Sequence, residues 1–368
     1  MTDSQPLSHE IEISVFGPGI GESIVVHIGD GDWIVVDSCI DRKSKHPVSL
    51  DYLRSLRVDV ASRVKLVVAT HWHDDHIGGL AEMFRAAEGA KFVNSAAYEL
   101  KDLLRVVGLG VKTPLSSATN EYDAIVRILK ERRLAGESLD SVGPVAALAN
   151  RKLLALNSTE RSVSAEIFAL SPGDGVFHLA KSELRHALSS IEQRQRPRRQ
   201  GPNQLCVVLW LKVGVLNVLL GADLENVPGT TEGWQSIITA AERPPGKAIC
   251  FKVPHHGSKN ANCPECWTDM LMQRPIAILT SYSPSRLPSA MDVSRLCTQT
   301  PSVFLTSNPS RYRSPRRDNA VEKTLREITV NRRALTGQMG HVWLRADARN
   351  IAAEPMIILR NGATHLTV

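Results

Sequence analysis

The chain has no apolar run approaching the roughly 18 residues of a membrane-spanning helix. Its first residues, MTDSQPLSHEIEISVF, show no basic stretch leading into an apolar one, so a cytoplasmic location and no membrane partner are expected. A disulfide framework is missing too: the six cysteines, Cys39, Cys206, Cys250, Cys263, Cys266 and Cys297, sit mostly singly in apolar stretches, as reduced thiols do. Cys263 and Cys266 form a C-x-x-C, but the second pair that a zinc ribbon requires is absent. Aromatic residues make up 5% of the chain, few for the stacking platforms that hold single-stranded nucleic acid. Acidic side chains fall short of basic ones, 38 against 44, and the net charge of +6 at pH 7 favours anionic partners, phosphate-bearing substrates first.

What is present suits a large core: 43% of the 368 residues are hydrophobic and 22% charged. IEISVF, SIVVHI and DWIVVDS, separated by glycine-rich turns at residues 17–21 and 29–31, read as a meander of antiparallel strands. The apolar run Val64–Ala69 ends in a cluster of His and Asp, after which Gly78-Gly79 opens the helical pattern LAEMFRAAEG. From about residue 99 to 200 the signal turns mainly helical, broken by a strand-like EIFALSPGDG, and an insertion covering one side of the core is expected. RQRPRRQGPN, residues 194–203, is basic, rich in Pro and Gly, and reads as a loop. CVVLWLKVGVLNVLLGAD then forms a hairpin turning near Val213-Gly214, and strands follow at AICFKVPH, AILTSY and SVFLTS. A second basic segment, SRYRSPRRDN, precedes a helix near residues 321–328, and HVWLRADAR and MIILRNG supply closing strands at about 340–368. The expectation is one α/β domain spanning residues 1–368.

Residues 71–76 read His-Trp-His-Asp-Asp-His, directly after a buried strand and before a helix. Imidazole nitrogens and carboxylate oxygens are the ligand set of zinc and similar borderline metals, and one short loop can aim them all at a common point. Burying so many unpaired polar groups without an ion costs several kcal/mol. His71, His73, Asp75 and His76 are the candidate ligands, and Asp74 between them suits helix capping or an outer role.

THWHDDHIGGL resembles the signature loop of the metallo-β-lactamase superfamily, an αββα sandwich of mostly dinuclear hydrolases. LLGADLEN and KVPHHGSKN are similar to motifs of the metallohydrolase domain of ComEC-type DNA-uptake proteins and its free-standing relatives. GPGIGESIVV and IVVDS match that group's first two strands, so the resemblance spans roughly residues 10–310 outside the insertion. It implies a metallo-β-lactamase sandwich with a helical insertion and two divalent metal ions, Zn²⁺ or Mn²⁺. His71 and His73 would hold one ion, Asp75 and His76 the other, and Asp223 would bridge them. One of His255 and His256 completes the second site, His256 by preference, while its neighbour orients a ligand or acts on the substrate. Asp37 corresponds to the family's buried carboxylate that braces the ligand loop.

The chain departs from the pattern twice. Many members supply a third histidine to the first ion from between the signature loop and the bridging Asp, where this chain has only His178 and His186, in no recognisable motif. The ComEC-type group also places Gly-His-Pro after the strand that follows HHGS, where this chain has Arg286-Leu287-Pro288. Ser258, Lys259, Ser281 and Tyr282 are left as candidate substrate contacts, and Ser283 reads as a turn residue.

Two divalent ions lower the pKa of a bound water from its bulk value to about 7, which supplies a hydroxide nucleophile without any protein nucleophile. They also neutralise charge in the hydrolysis of phosphodiesters, lactones or β-lactams. With Asp75 as ligand, Asp223 or Asp74 would take up the water's proton, and whichever of His255 and His256 is not a ligand, His255 by preference, would protonate the leaving oxygen. The first expectation is a phosphodiesterase, in particular a nuclease, whose basic segments at 194–199, with Arg196, Arg198 and Arg199, and at 311–317 track a nucleic-acid backbone. The alternatives are a hydrolase of a phosphorylated head group, nucleotide or lactone beneath a helical lid, and a module of a larger assembly activated by a protein partner.

Overall fold

The computed structural model describes residues 4–96, 116–138, 143–177, 202–307, 318–328 and 339–367. Its strands are β1 (Glu10–Gly17), β2 (Ser23–Ile28), β3 (Trp33–Val36), β4 (Val64–Ala69), β5 (Lys91–Ser95), β6 (Val145–Ala147), β7 (Arg151–Leu156) and β8 (Ala165–Ala169). They continue as β9 (Leu209–Val213), β10 (Leu216–Leu220), β11 (Ala248–Lys252), β12 (Leu271–Leu279), β13 (Val303–Leu305), β14 (Gly340–Asp347), β15 (Met356–Arg360) and β16 (Thr364–Leu366). Among the described residues they form two eight-stranded sheets, ordered β15-β14-β1-β2-β3-β4-β5-β6 and β16-β13-β12-β11-β10-β9-β8-β7.

Successive side chains of a strand point to opposite faces, and here both faces are buried. Ile11, Ile13, Val26, Ile34 and Val68 of the first sheet meet Leu209, Leu211, Val218 and Ile278 of the second in one core between the sheets. The opposite faces carry Val25, Val35 and Val67 on one sheet and Trp210, Leu219 and Leu279 on the other. Leu53 of helix Val48–Ser55, Phe84 of Leu80–Ala86 and Ile125 of Ser116–Leu134 cover the first. Trp234 of Trp234–Ile238, Cys266 of Pro264–Asp269 and Leu296 of Ala290–Gln299 cover the second. The result is a four-layered αββα sandwich.

β3 to β6 run parallel, as do β10 to β13. The carboxyl ends of β3, β4, β10, β11 and β12 therefore open onto one edge, where Val207 N donates to Thr70 O (3.0 Å) across the two sheets. β2 is antiparallel to β3, so its amino end, preceded by Glu22, lies at that edge too.

The stretch 99–200, expected to be mainly helical, is in part sheet, and β8 falls on its strand-like EIFALSPGDG. Among its described residues one helix, Ser116–Leu134, lies over the first sheet, but β6 pairs with β5, and β7 and β8 are hydrogen-bonded into the second sheet. Ala165, Ile167 and Ala169 alternate into the inter-sheet core with the two-residue period of a strand. The closing strands divide: β14 and β15 extend the first sheet, and β16 pairs with β13 in the second. No helix among the described residues is long and apolar enough to cross a membrane.

His27 on β2 carries a pH dependence away from the site. Its Nδ1 lies 2.8 Å from Glu10 O and its Nε2 accepts from Gly31 N at 3.0 Å, which requires the neutral ring. Burial pushes its pKa from 6.5 down to about 4. Below pH 6.5 the unfolded chain takes up a proton that the folded chain refuses. The stability from His27 is thus complete above pH 6.5 and lost as pH falls towards 4. Urea unfolding at pH 7 and 4.5 is expected to show that His27→Gln loses about 2.5 kcal/mol less than the wild type over that interval. Equal losses would count against a neutral buried ring.

Candidate metal centre

The ligand loop follows β4. Asp37, at the end of β3 with a left-handed φ of 57°, accepts from Thr70 N (2.8 Å) and Thr70 Oγ1 (2.7 Å) and takes His76 Nδ1 at 2.7 Å. Ser38 N donates to His76 O (2.6 Å) and Glu22 N to Asp75 O (2.9 Å), so both ends of the loop are tied to the first sheet. Gly21 is required for that approach: a Cβ there would stand 3.1 Å from Asp75 O and 2.8 Å from Cys39 Cβ. The second sheet contributes Asp223 after β10 and His256 after β11.

The hydrogen bonds settle which nitrogen of three imidazoles faces inward. Thr70 Oγ1 gives its proton to Asp37, so it accepts from His71 Nδ1 at 3.0 Å. Asp37 accepts from His76 Nδ1. Thr280 Oγ1 gives its proton to Glu22 Oε2 (2.6 Å), so it accepts from His256 Nδ1 at 2.9 Å. Each ring is left with an Nε2 lone pair, and all three surround Asp223 Oδ2, at 4.0 Å from His71, 3.5 Å from His76 and 3.7 Å from His256. Asp75 Oδ2 stands 3.4 Å from His256 Nε2 and 3.7 Å from His76 Nε2. His73 Nδ1 lies 3.0 Å from His71 Nε2.

These groups fit two ions sharing Asp223. His71, His73 and Asp223 make one set, and Asp75, His76, His256 and Asp223 the other. The buried atoms His76 Nε2, His256 Nε2 and Asp223 Oδ1 have no hydrogen-bond partner among the described residues, a costly arrangement unless a cation takes their lone pairs. Burial alone would raise Asp223 and Asp75, but His256 and His76 around Asp223, and His76 and His256 around Asp75, outweigh it and hold both below the usual carboxylate range. Burial would lower His76, yet Asp223, Asp75, Glu22 and Asp37 push it up. This excess of carboxylate around buried imidazoles is an electrostatic demand for positive charge, which divalent ions meet.

Glu22, Lys252 and Thr280 belong to the centre although the sequence reading passed over them. Glu22 lies within the second cluster, but its Oε2 is occupied by Thr280 and by Lys252 Nζ at 2.8 Å. Its Oε1 approaches His76 from the Nδ1 side at 3.9 Å, behind the ring. Through Oε2 it fixes Thr280 and so the orientation of the His256 ring. Lone polar residues beside apolar strand segments gave no signal.

The remaining candidates scatter. Asp74 is exposed, in the first turn of helix Asp74–Ile77. His255 lies outside the two ligand sets, its Nδ1 3.5 Å from Glu225 Oε1 and its Nε2 3.4 Å from Asn203 Nδ2. Ser258 Oγ caps the next turn by accepting from Asn260 N, and Lys259 is exposed. Ser281 is buried against Ser307 Oγ (2.7 Å), which withdraws its hydroxyl from substrate, and Ser283 N donates to Gly19 O. The half-buried Tyr282 stacks on His256, centroids 5.0 Å apart. His178, His186, Arg196, Arg198 and Arg199 lie outside the described residues, as does the segment 311–317.

Residues 16–140, which contain the end of β1, β2 to β5 and the whole ligand loop, match the model of the metallo-beta-lactamase superfamily. The fold is a metallo-β-lactamase fold. That superfamily consists mostly of metal-dependent hydrolases and binds divalent ions, often two zincs. Solved structures with this architecture include the metallo-β-lactamase fold protein YhfI from Bacillus subtilis, at 12% identity over 66% of this chain and 70% of that one, TM-score 0.32. Zn²⁺-bound PqqB from Methylobacterium extorquens is 10% identical over 80% of this chain and 97% of its own, TM-score 0.38. CmlA, a diiron β-hydroxylase from Streptomyces venezuelae, is 13% identical over 68% of this chain, which spans about a third of that protein (35%), TM-score 0.34. No curated protein sequence matches the chain. Likenesses this distant carry no reaction, and the chemistry rests on the residues themselves.

Proposed function

We propose that the protein is a metal-dependent phosphodiesterase acting on nucleic acid. The observation that carries the hydrolytic part is the convergence of three Nε2 lone pairs and Asp75 on Asp223, a set suited to a pair of Zn²⁺ or Mn²⁺ ions. When bound, such ions activate water and neutralise charge on phosphoryl oxygens. Asp75 and Asp223, held ionised and weakly basic, act as ligands more than as proton acceptors. His255, whose side chain is 19% exposed and lies beside Glu225, is assigned the protonation of a leaving oxygen.

The nucleic-acid part is supported by where the basic segments are attached. Asn203, just after one of them, contacts His255 and Glu225 (3.4 and 3.1 Å). Ser307, just before the other, bonds Ser281 next to Tyr282. Arg199 and Arg311 are each four residues along the sequence from these anchors. The resemblance of LLGADLEN and KVPHHGSKN to ComEC-type motifs favours the same substrate class.

Purified protein with Mn²⁺ or Zn²⁺ is to be tested on plasmid, single-stranded DNA, RNA, a chromogenic phosphodiester and a lactone. Cleavage of nucleic acid is expected, with log affinity falling against log salt at about −0.9 per phosphate contact on duplex. Replacing Arg196, Arg198 and Arg199 together by Ala is expected to flatten that slope and raise KM while sparing the chromogenic ester. Turnover of small esters alone would move the reading to a small-molecule hydrolase. The two histidines are expected to separate: His256→Ala loses metal and activity, and His255→Ala loses turnover at unchanged metal content. Equal metal loss in both would remove His255 as proton donor.

A further inference from the structure

Three consecutive residues after β11, His255, His256 and Gly257, have left-handed backbone, with φ of 48°, 53° and 82°. Side chains other than glycine rarely occupy that region, and two in succession persist only where the surroundings hold them. The turn sends adjacent imidazoles apart: His256 enters the cluster beside Asp75 and Asp223, and His255 goes to Glu225. Its amides are fixed by His255 N to Ala222 O (3.0 Å), Gly257 N to Pro254 O (3.0 Å) and Ser258 N to His255 O (2.9 Å).

The carbonyl side is held from another element. Arg295, on helix Ala290–Gln299, donates from Nη2 to Gly257 O at 2.6 Å and from Nη1 to Asn262 Oδ1 at 2.8 Å, so one planar guanidinium spans both ends of the segment that follows His256. Asp292 Oδ1 holds the same Nη2 at 3.1 Å, and Asp292 is itself locked by the capping box with Ser289 that starts the helix. With both Nη groups turned onto these acceptors, Arg295 is not a substrate cation.

We propose that Arg295 is a positioning residue that fixes the His-His-Gly turn and thereby the second metal position. This rests on the reading of His256 as a ligand. Zn²⁺ binding to metal-free protein is to be measured by competition with a chromogenic chelator, alongside thermal melting. Arg295→Met is expected to weaken the second ion roughly 10- to 100-fold while the ion on His71 and His73 stays within about twofold, and Arg295→Lys is expected to fall between. A lower melting temperature with both affinities unchanged would reduce Arg295 to a packing role and overturn the proposal. Should Arg295→Met fail to fold, Arg295→Lys decides alone, and second-site affinity within about twofold of wild type overturns it. In His256→Ala the second ion is expected to be lost. If that variant keeps both ions, the ligand reading falls and the proposal with it; if it loses one while Arg295→Met keeps both, the proposal alone falls.

Discussion

Replacing Asp223 by Ala is expected to lower hydrolysis at least about 10³-fold, some 4 kcal/mol of transition-state stabilisation, and to take bound metal from about two ions per chain to fewer than one. Its Oδ2 lies within 4.0 Å of the Nε2 atoms of His71, His76 and His256, which come from both ligand sets. Without it, the three Nε2 lone pairs would lose the carboxylate they surround, and His71 and His73 would offer an ion no anionic partner. Removing metal from the wild type gives the matching stability test. Ions present at about 1,000 times their dissociation constant add roughly 4 kcal/mol to the folded state, so a chelator is expected to lower the wild-type melting temperature and to leave Asp223→Ala nearly unmoved. Asp223→Ala holding two ions per chain, with the wild-type response to chelator, would eliminate the bridge.

The ligand loop was legible because four ligand-type side chains within six residues have no cheaper explanation at the end of a buried strand. The sandwich was legible for a related reason: strands buried on both faces read as nearly continuous apolar runs, as in β2, β4 and β10, and turn residues punctuate them. β6 and β7 were hidden, whereas β8 falls on the strand-like EIFALSPGDG. β6 is three residues long, β7 has one buried side chain among six, and both follow the helix Ser116–Leu134, whose period dominates the local pattern. The inner support of the site was hidden for a different reason. Glu22 and Thr280 meet across 258 positions, from the two different sheets, and nothing local to either marks the other. A metal centre between two sheets announces its ligands in the sequence, but the groups that orient those ligands appear when the sheets are stacked.

The second large effect belongs to that hidden support. Lys252 and Glu22 are 1% and 0% exposed, with Nζ 2.8 Å from Oε2, an ion pair buried behind His256. Burial alone would raise the Glu22 carboxyl, but Lys252, His76 and His256 outweigh it and keep it charged. Lys252→Met therefore strands a carboxylate in the core, and the expected loss is about 3–5 kcal/mol of stability, read from the urea midpoint of metal-free protein. Adding Glu22→Gln is expected to restore most of it, because two neutral groups of similar volume replace the pair and the Gln carbonyl can still accept from Thr280. Because that acceptor sets the tautomer of His256, the double variant is expected to bind metal nearly as wild type does, whereas Glu22→Ala, with no acceptor for Thr280, is expected to weaken the second ion by roughly 10- to 100-fold. Charge and hydrogen bonding at Glu22 thus separate into two readouts, stability and metal affinity. If Lys252→Met is as stable as the wild type, or if Glu22→Ala leaves metal affinity intact, the corresponding half of the assignment is wrong.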